Sequence, residues 1–409
     1  MEKALIHNRD FIMFGLQPWD IEIGSNFKNM ALEISLHNRV LYVNRPLDRV
    51  SYYKNKHDRH VQARMESIRG GTNVITSVQS DLWAFNPRTI LESINWMPHS
   101  FAYKYFNRIN NKKLAKEIAW ATAELGFKDP LLLVDNDFFN GLYLKEYLKP
   151  SLFVHYIRDF LLSQEYFVRH GIKSEGEIMQ KADAVAANSQ YLASYAARFN
   201  TNTADIGQGC DVEDFIMKSS EIPADIASIK APVIGYCGSL TATRLDIDLI
   251  EQIARQKPGW NIVLVGPEDQ KFAASALHGL KNVYFPGSKP PAQLPAYIHA
   301  FDVCINPQLL NQMTIGNYPR KVDEYLAAGK PVVATRTETM QIFAELCFLC
   351  SNKDEYCTAI EEAIRVSADP EKTERRKTLA RSHTWAASIK ELYKLIIKTE
   401  NANGRTRPA

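Results

Sequence analysis

Arg320 and Lys321 follow directly after Pro319, and Glu324 stands three residues further on. A proline is tolerated at a helix start, where its missing N–H is no loss. The two cations then fall in the first turn, where free backbone N–H groups and the helix dipole already favour an anion such as phosphate. Glu324 lies about a turn along, where a carboxylate can accept hydrogen bonds from the hydroxyls of a sugar. Phosphate beside a polyol is the shape of a nucleotide-sugar. A surface helix with ordinary charges uses the same residue types, so these residues alone leave both readings open.

The surrounding stretch, Gly316-Asn317-Tyr318-Pro319 and onward to Thr335, reads as loop, helix, turn and strand. Val322, Tyr325, Leu326 and Ala328 fall on one helical stripe. Gly329 is a helix stop with Pro331 just beyond it, and Val332-Val333-Ala334 is a short apolar run of the kind buried parallel strands show.

Similar runs recur along the chain. Phe11 to Gly15, Val40 to Val43 and Asn73 to Val78 predict three strands, with a helix through Met30, Leu32 and Ile34 between the first two. Leu131 to Val134, Leu152 to Tyr156 and Ala184 to Ala187 continue the series. Strands alternating with helices predict parallel sheets. Ligands of such sheets bind beyond the carboxyl ends of the strands, which points Asp135, Asn136, Arg158, Asp159 and Asn188 at a site. Residues 216 to 231 are polar and loosely patterned. A second series then begins at Val233 and continues at Asn261, Val283, Val303 and Val332. The expected organisation is a first domain over 1–216, a linker over 217–231, a second domain over 232–375, a return helix over 376–400 and a tail over 401–409. The last helix carries Trp385, Ile389, Leu392, Leu395 and Ile396 on one face, and residues 398 to 409 read as frayed.

Composition excludes several classes. The 409 residues are too many for one ordinary domain. A net charge of +3 is too mild to argue for nucleic acid, and no binding motif for it appears. No GxGxxG follows the first strand of the second series, and no GxxxxGK[ST] occurs, which argues against dinucleotide enzymes and P-loop NTPases. Cys347 and Cys350 form a CxxC, but within a strand they face opposite ways. Asp246-Ile247-Asp248 has the spacing of a metal motif but reads as a helix start. The first ten residues hold no long apolar core and no run reaches ~20 apolar residues, so a reduced, cytoplasmic location is expected. Residues 83 to 120 are crowded with aromatics, including Trp83, Phe85, Trp96, Phe101, Tyr103, Tyr105 and Phe106. Lys104, Arg108, Lys112 and Lys116 recur every four residues there. The ordinary reading is a core-packed helix with a solvated basic face. The alternative is a helix that lies on the anionic inner face of a membrane.

Taken in order, the motifs resemble those of GT-B glycosyltransferases, and in particular the large retaining group 1 type that builds bacterial polysaccharides and glycolipids from nucleotide-sugars. Ala187-Asn188-Ser189-Gln190-Tyr191-Leu192 through Ile206-Gly207-Gln208-Gly209-Cys210-Asp211 to Phe215 is similar to that family's "NSxxL … xxNGVDxxxF" run. Ile234-Gly235-Tyr236-Cys237-Gly238-Ser239-Leu240 resembles its domain-opening strand and phosphate loop. Pro286-Gly287 through Leu294, Tyr297, Ala300-Phe301-Asp302-Val303 and Pro307 resembles "FxGxxxxxxLxxxYxxADVxxxPS". Lys321 to Ala334 resembles "KxxEYxAxGxPVVA". The Gln17-Pro18-Trp19-Asp20 loop and Arg39 to Val43 resemble a teichuronic-acid and surface-polysaccharide subgroup.

The resemblance implies an α/β GT-B fold: two doubly wound Rossmann-like domains facing a cleft, with a C-terminal helix returning toward the first. It implies transfer of a sugar from a UDP- or GDP-sugar to a glycan, lipid-linked in the expected case, with retention and without a metal ion or cofactor. Arg244 and Lys321 are then the cations at the donor diphosphate, and Asp159 a catalytic carboxylate in the first domain. Gly238, Ser239, Gly266, Gly287, Gly316, Asn317, Tyr318, Pro319, Arg320 and Glu324 line the donor site, Glu324 at the ribose. Gly24, Ser25, Asn26, Asp135, Asn136, Arg158 and Asn188 face the acceptor. The chain departs from the pattern at three positions: Gly316 replaces a sugar-facing glutamate, Ser239 a second basic residue, and Arg158 a histidine. A nucleotide-sugar epimerase and a non-catalytic glycan- or partner-binding protein are the alternatives.

Overall fold

A computed structural model describes residues 6–20, 25–70, 73–217 and 221–404. Gly24 is the one candidate site residue outside them. The chain divides into two compact units, Met1–Gly207 with Ser388–Ala409, and Gln208–Ala387. The division thus comes at Gly207, before the polar stretch around 217–231 where the sequence suggested it.

The first unit is built on eight strands: β1 (Asp10–Gly15), β2 (Arg39–Val43), β3 (Ile75–Gln79), β4 (Leu82–Phe85), β5 (Leu131–Asp135), β6 (Leu152–Ile157), β7 (Ala184–Ala187) and β8 (Thr203–Asp205). Their order is β3-β4-β2-β1-β5-β6-β7-β8. The strands from β4 to β8 are parallel to their neighbours, whereas β3 pairs antiparallel with β4. The expected third parallel strand is therefore an antiparallel edge. Only Ser80 and Asp81 separate β3 from β4, and so short a connection can close a hairpin but not a parallel crossover. Trp83 and Phe85, read as part of an aromatic segment, lie in β4, and Phe85 and Tyr103 are buried.

β1, β2, β5 and β6 are buried along nearly their whole length, as strands covered on both faces must be. Helix Glu165–Lys181 buries Glu175, whose Oε2 accepts from the Tyr195 hydroxyl at 2.5 Å. Burial pushes this carboxyl up from 4.5 to about 7, against the hydrogen bond from Tyr195. Between those values the folded protein keeps the proton and the unfolded chain releases it. Stability should accordingly fall as pH rises through that window, by about 3 kcal/mol, and level off above it. Glu175→Gln should flatten the slope and melt higher than the parent at pH 8, which melts at pH 5 and pH 8 would read.

The second unit holds β9 (Val233–Cys237), β10 (Asn261–Val265), β11 (Val283–Gly287), β12 (Val303–Asn306), β13 (Val332–Thr335) and β14 (Cys347–Cys350), in the order β11-β10-β9-β12-β13-β14. All pairs are parallel. This is the doubly wound order, and its direction of winding reverses between β9 and β12. Apolar residues pack on both faces of the sheet. Cys347 joins one cluster and Cys350 the other, so the CxxC is split across the sheet as the strand period requires. Asp246 accepts from Leu249 N at 3.0 Å as the cap of helix Ile247–Gln256, the helix start expected there.

The last helix, Trp385–Ala402, buries Trp385, Ile389, Leu392, Leu395 and Ile396. From Ser388 onward it belongs to the first unit. It runs past the expected end: Thr399 and Glu400 are buried, and Glu400 pairs with Arg9 at 2.9 Å. That pair, and the hydrogen bond from Asn202 Nδ2 to the Thr399 hydroxyl at 2.8 Å, hold in place residues that read as frayed.

Candidate functional site

In the second unit the winding reverses between β9 and β12, and ligands of such sheets bind beyond the carboxyl ends of the strands at this point; the sequence places its candidate residues on the loops that follow them. β9 ends at Cys237, and Gly238 turns the chain with φ +143° while donating N–H to Val265 O at 2.9 Å. Gly266, with φ +152°, follows β10, and a Cβ there would stand 1.9 Å from Gly238 O. Gly266 in turn donates to Gly287 O at 3.1 Å. Backbone thus packs on backbone at three successive strand ends, with peptide groups rather than side chains in the contacts.

Helix Arg320–Ala327 supplies the charge. It begins at Arg320, with Pro319 as its cap residue, so Lys321 is in its first turn and Glu324 just beyond. The Lys321 ammonium lies over the glycine: a Cβ at Gly238 would come 2.8 Å from Lys321 Nζ. Lys321 Nζ donates to the Tyr236 hydroxyl at 2.7 Å and sits 4.5 Å from that ring's centre. Tyr236 passes the contact on by donating to Ser239 O at 3.3 Å. Tyr325, on the same helix, takes Cys237 N–H at 2.8 Å. The helix is therefore pinned to the end of β9 by two tyrosines, and its ammonium is held against the Gly238-Ser239 turn.

Arg244 is on the loop that continues from this turn. The backbone ties that loop to the one after β12: Leu309 N donates to Arg244 O at 2.9 Å, and Asp246 N to Pro307 O at 2.9 Å. Asn311 Nδ2 donates to Thr243 O at 2.9 Å. The segment carrying Arg244 and the segment leading to Gly316, Asn317 and Tyr318 are thus one connected structure. No hydrogen bond or ion pair engages the Arg244 guanidinium among the described residues, so a cation is left available there.

Three candidates are placed differently from their neighbours. Arg320 and Glu324 pair with each other, Nε to Oε1 at 3.3 Å, one turn apart on the helix. Tyr318 is buried, and its hydroxyl donates to Asp323 Oδ2 at 2.9 Å. Asp323 is fully buried and also meets His383 Nδ1 at 2.7 Å. Burial pushes the Asp323 carboxyl up, while His383 and Tyr318 beside it act the other way. This Tyr-Asp-His group holds the loop before the helix from behind.

In the first unit the structure brings four candidates together at the ends of β5 and β6. Arg158 Nε donates to the buried Asp135 at 2.8 Å and its Nη1 to Asp159 at 3.2 Å. Asn136, in the left-handed region at φ 52°, donates to Asp159 O at 3.1 Å. Ser25 caps helix Asn26–Ile34 by accepting from Lys28 N at 3.2 Å. Asn188 is buried at the end of β7 and donates its N–H to Ile157 O at 3.2 Å. Most of this polarity is used internally, and Asp159 is the most exposed carboxylate of the group, at 32%. His155 lies inside β6, where burial holds its imidazole down at about 3. It is neutral and out of reach of any ligand.

Tyr236, Tyr325 and His383 were missed by sequence reasoning. Tyr236 and Tyr325 look like ordinary core aromatics in an apolar run, and His383 is about 60 residues from its partner, so no local signal marks them.

The loops at the ends of β9, β10 and β11 and the helix carrying Lys321 all lie within one recognised segment. Residues 231–366 match the family described as glycosyl transferases, group 1. In a separate comparison, 253 residues of the chain are 29% identical to TuaH of Bacillus subtilis (strain 168), a relative named as a teichuronic acid biosynthesis glycosyltransferase. That match covers 58% of this chain and 62% of TuaH, so the chain spans about three fifths of the relative's length. Among solved structures, Anabaena HepE, crystallised with UDP and glucose, superposes with a TM-score of 0.61 at 16% identity over 95% of this chain and 100% of HepE. The apo structure of OtsA superposes with a TM-score of 0.65 at 11% identity, over 96% and 99%. The fold, two parallel-sheet α/β units, is that of the GT-B glycosyltransferases, and the residues that match the group 1 family lie in the second unit.

Proposed function

We propose that this protein is a glycosyltransferase that moves a sugar from a UDP- or GDP-sugar to a glycan acceptor in surface-polysaccharide synthesis. The observation that carries the reading is the Lys321 ammonium held over the Gly238-Ser239 turn inside the group 1 domain. A nucleotide-sugar donor is further supported by the UDP and glucose held in HepE.

In the proposed reaction the bond between the anomeric carbon and the diphosphate oxygen breaks, and the diphosphate leaves with the electron pair. An acceptor hydroxyl oxygen bonds to the anomeric carbon with retention, and its proton is released. Lys321 and Arg244 are the fixed cations that stabilise the charge growing on the leaving diphosphate, as preorganised donors do best. The peptide N–H groups at the front of helix Arg320–Ala327 add to them. Glu324, released from Arg320, takes the ribose hydroxyls, and Arg320 is then free to meet phosphate. On the acceptor side the reading assigns a catalytic role to Asp159, which Arg158 positions. Calorimetry with UDP-glucose and GDP-mannose tests the donor: saturable binding of one and not the other identifies the base, and binding of no nucleotide-sugar would sink the proposal.

The reading includes peripheral contact with an anionic membrane surface, where a lipid-linked acceptor would be met. Lys104, Lys112 and Lys116 are exposed on helix Phe101–Glu124, and Phe101 and Tyr105 are exposed beside them. Arg108, on the same face, is paired with Glu146. Among the described residues no helix is long and apolar enough to cross a membrane. Neutralising the three lysines together should weaken flotation with anionic liposomes roughly 100-fold, at about 1 kcal/mol per lysine. Equal flotation of parent and variant removes the membrane contact.

A further inference from the structure

The first unit contains a cavity of about 270 Å³ whose lining does not include Asp135, Arg158 or Asp159. It is bounded by the loops after β2, β4 and β5 and by helix Phe101–Glu124. That volume is just below the roughly 300–1,000 Å³ of small-molecule sites, room for a ring rather than a chain. We infer that it is a binding pocket for a neutral pyranose sugar.

The floor of the cavity makes the first argument. Tyr143 N donates to Asn111 Oδ1 at 2.9 Å, which fixes the orientation of the Asn111 amide. Asn111 Nδ2 therefore points the other way and donates to Asn107 Oδ1 at 3.1 Å. Asn107 lines the cavity and is left presenting its own Nδ2. That nitrogen is buried and has no hydrogen-bond partner among the described residues, in a residue only 2% exposed. A buried donor left unpaired costs about 1–3 kcal/mol, a cost that an oxygen of a bound ligand removes. The neighbouring Asn110 does not share this state, because its amide both donates to Glu92 O and accepts from Glu92 N, at 2.9 Å each. It braces the wall and leaves Asn107 as the reading group.

The rim makes the second. Trp96 is 72% exposed and Tyr166 58% exposed, and both line the cavity. Asn95 Nδ2 donates to the Tyr166 hydroxyl at 2.5 Å, which holds that ring at the mouth and leaves its O–H proton to be given outward. Large amphipathic rings beside amide donors match a sugar, which has apolar C–H faces and a belt of hydroxyls.

Charge decides the class. The one cation of the lining is compensated, since Arg45 pairs with Asp137 at 3.4 Å. Glu92 pairs with Lys113 at 3.0 Å and with Arg49, and Asp48 accepts from Ser51 N at 2.7 Å as a helix cap. With no uncompensated cation on the wall to take an anion, the ligand is neutral, a hexose or N-acetylhexosamine rather than a uronate or a sugar phosphate. That this sugar is part of the acceptor rests on the glycosyltransferase reading above; the pocket itself does not.

The probes are methyl glucoside and methyl N-acetylglucosaminide, followed by saturation-transfer NMR on the full chain. At least one should bind the parent, and Trp96→Ala and Tyr166→Ala should each weaken it by 10-fold or more. Both rings are largely exposed, so melting temperatures should stay within a few degrees of the parent. No binding of either sugar to the parent, or unchanged binding in both variants, overturns the pocket. UDP-glucose calorimetry on the parent is read separately. Donor binding without sugar binding ends this inference and leaves the proposed function standing, and the reverse result does the opposite.

Discussion

Lys321→Ala is expected to slow UDP-sugar turnover by roughly 10²–10³-fold, the loss seen when one preorganised charge-stabilising donor is removed, equivalent to about 2.7–4 kcal/mol. The expectation follows from how firmly this ammonium is placed. It donates to the Tyr236 hydroxyl at 2.7 Å and overlies Gly238, on the helix that Tyr325 ties to Cys237. A cation so fixed loses little freedom when the diphosphate of the proposed reaction arrives, and neither Arg244 nor Arg320 holds its place over the Gly238 turn. The variant should fold, since truncation opens space beside Tyr236 without burying any new group, and thermal melting checks that. Release of nucleoside diphosphate in single-turnover assays gives the rate. A Lys321→Ala rate within threefold of the parent would mean that the leaving group is not stabilised here.

Gly266→Ala should destabilise the second unit by roughly 2–6 kcal/mol, adding the cost of an overpacked contact to that of a strained backbone. The new methyl would stand 1.9 Å from Gly238 O, and the neighbours at that contact are backbone atoms with no flexible end to yield. The φ of +152° is one that side chains rarely adopt. For a unit of this size the melting temperature should fall by about 2–4 °C per kcal/mol, and calorimetric melting measures it. Nucleotide-sugar binding should be lost even under conditions where the variant stays folded, because the Gly238 turn must move aside. Gly279→Ala is the control: a Cβ there meets nothing within 4 Å, and its effect should be small.

Much of the fold was legible because a strand covered on both faces must be apolar throughout. The runs at Phe11, Val40, Leu131, Leu152, Val233, Asn261 and Val303 all became strands, and Gly329 with Pro331 ended the helix where expected. The hairpin of β3 and β4 was not legible in that way. Both strands are short, β3 is largely exposed, and aromatic residues nearby drew Trp83 and Phe85 into a helical reading. The end of the last helix was missed for a related reason. Thr399 and Glu400 look like solvent residues until Asn202 and Arg9 are seen beside them.

Of the candidate site, the sequence alone determined the charge at the front of helix Arg320–Ala327, the glycines at the strand ends and the parallel series that aims both at one edge. These are local properties, set by residue type, spacing and the period of burial. Only the tertiary structure decided which of these groups meet. Lys321 reaches Tyr236 across 85 positions because the sheet reverses its winding between β9 and β12. Gly238 and Gly266 touch because β9 and β10 pair in register, Cys237 beside Val265. Asn107 has a donor with no partner among the described residues because Asn111 is turned toward it by a backbone N–H 32 residues away in sequence. Such pairings follow from the order and register of strands, and no periodicity along one segment carries that information.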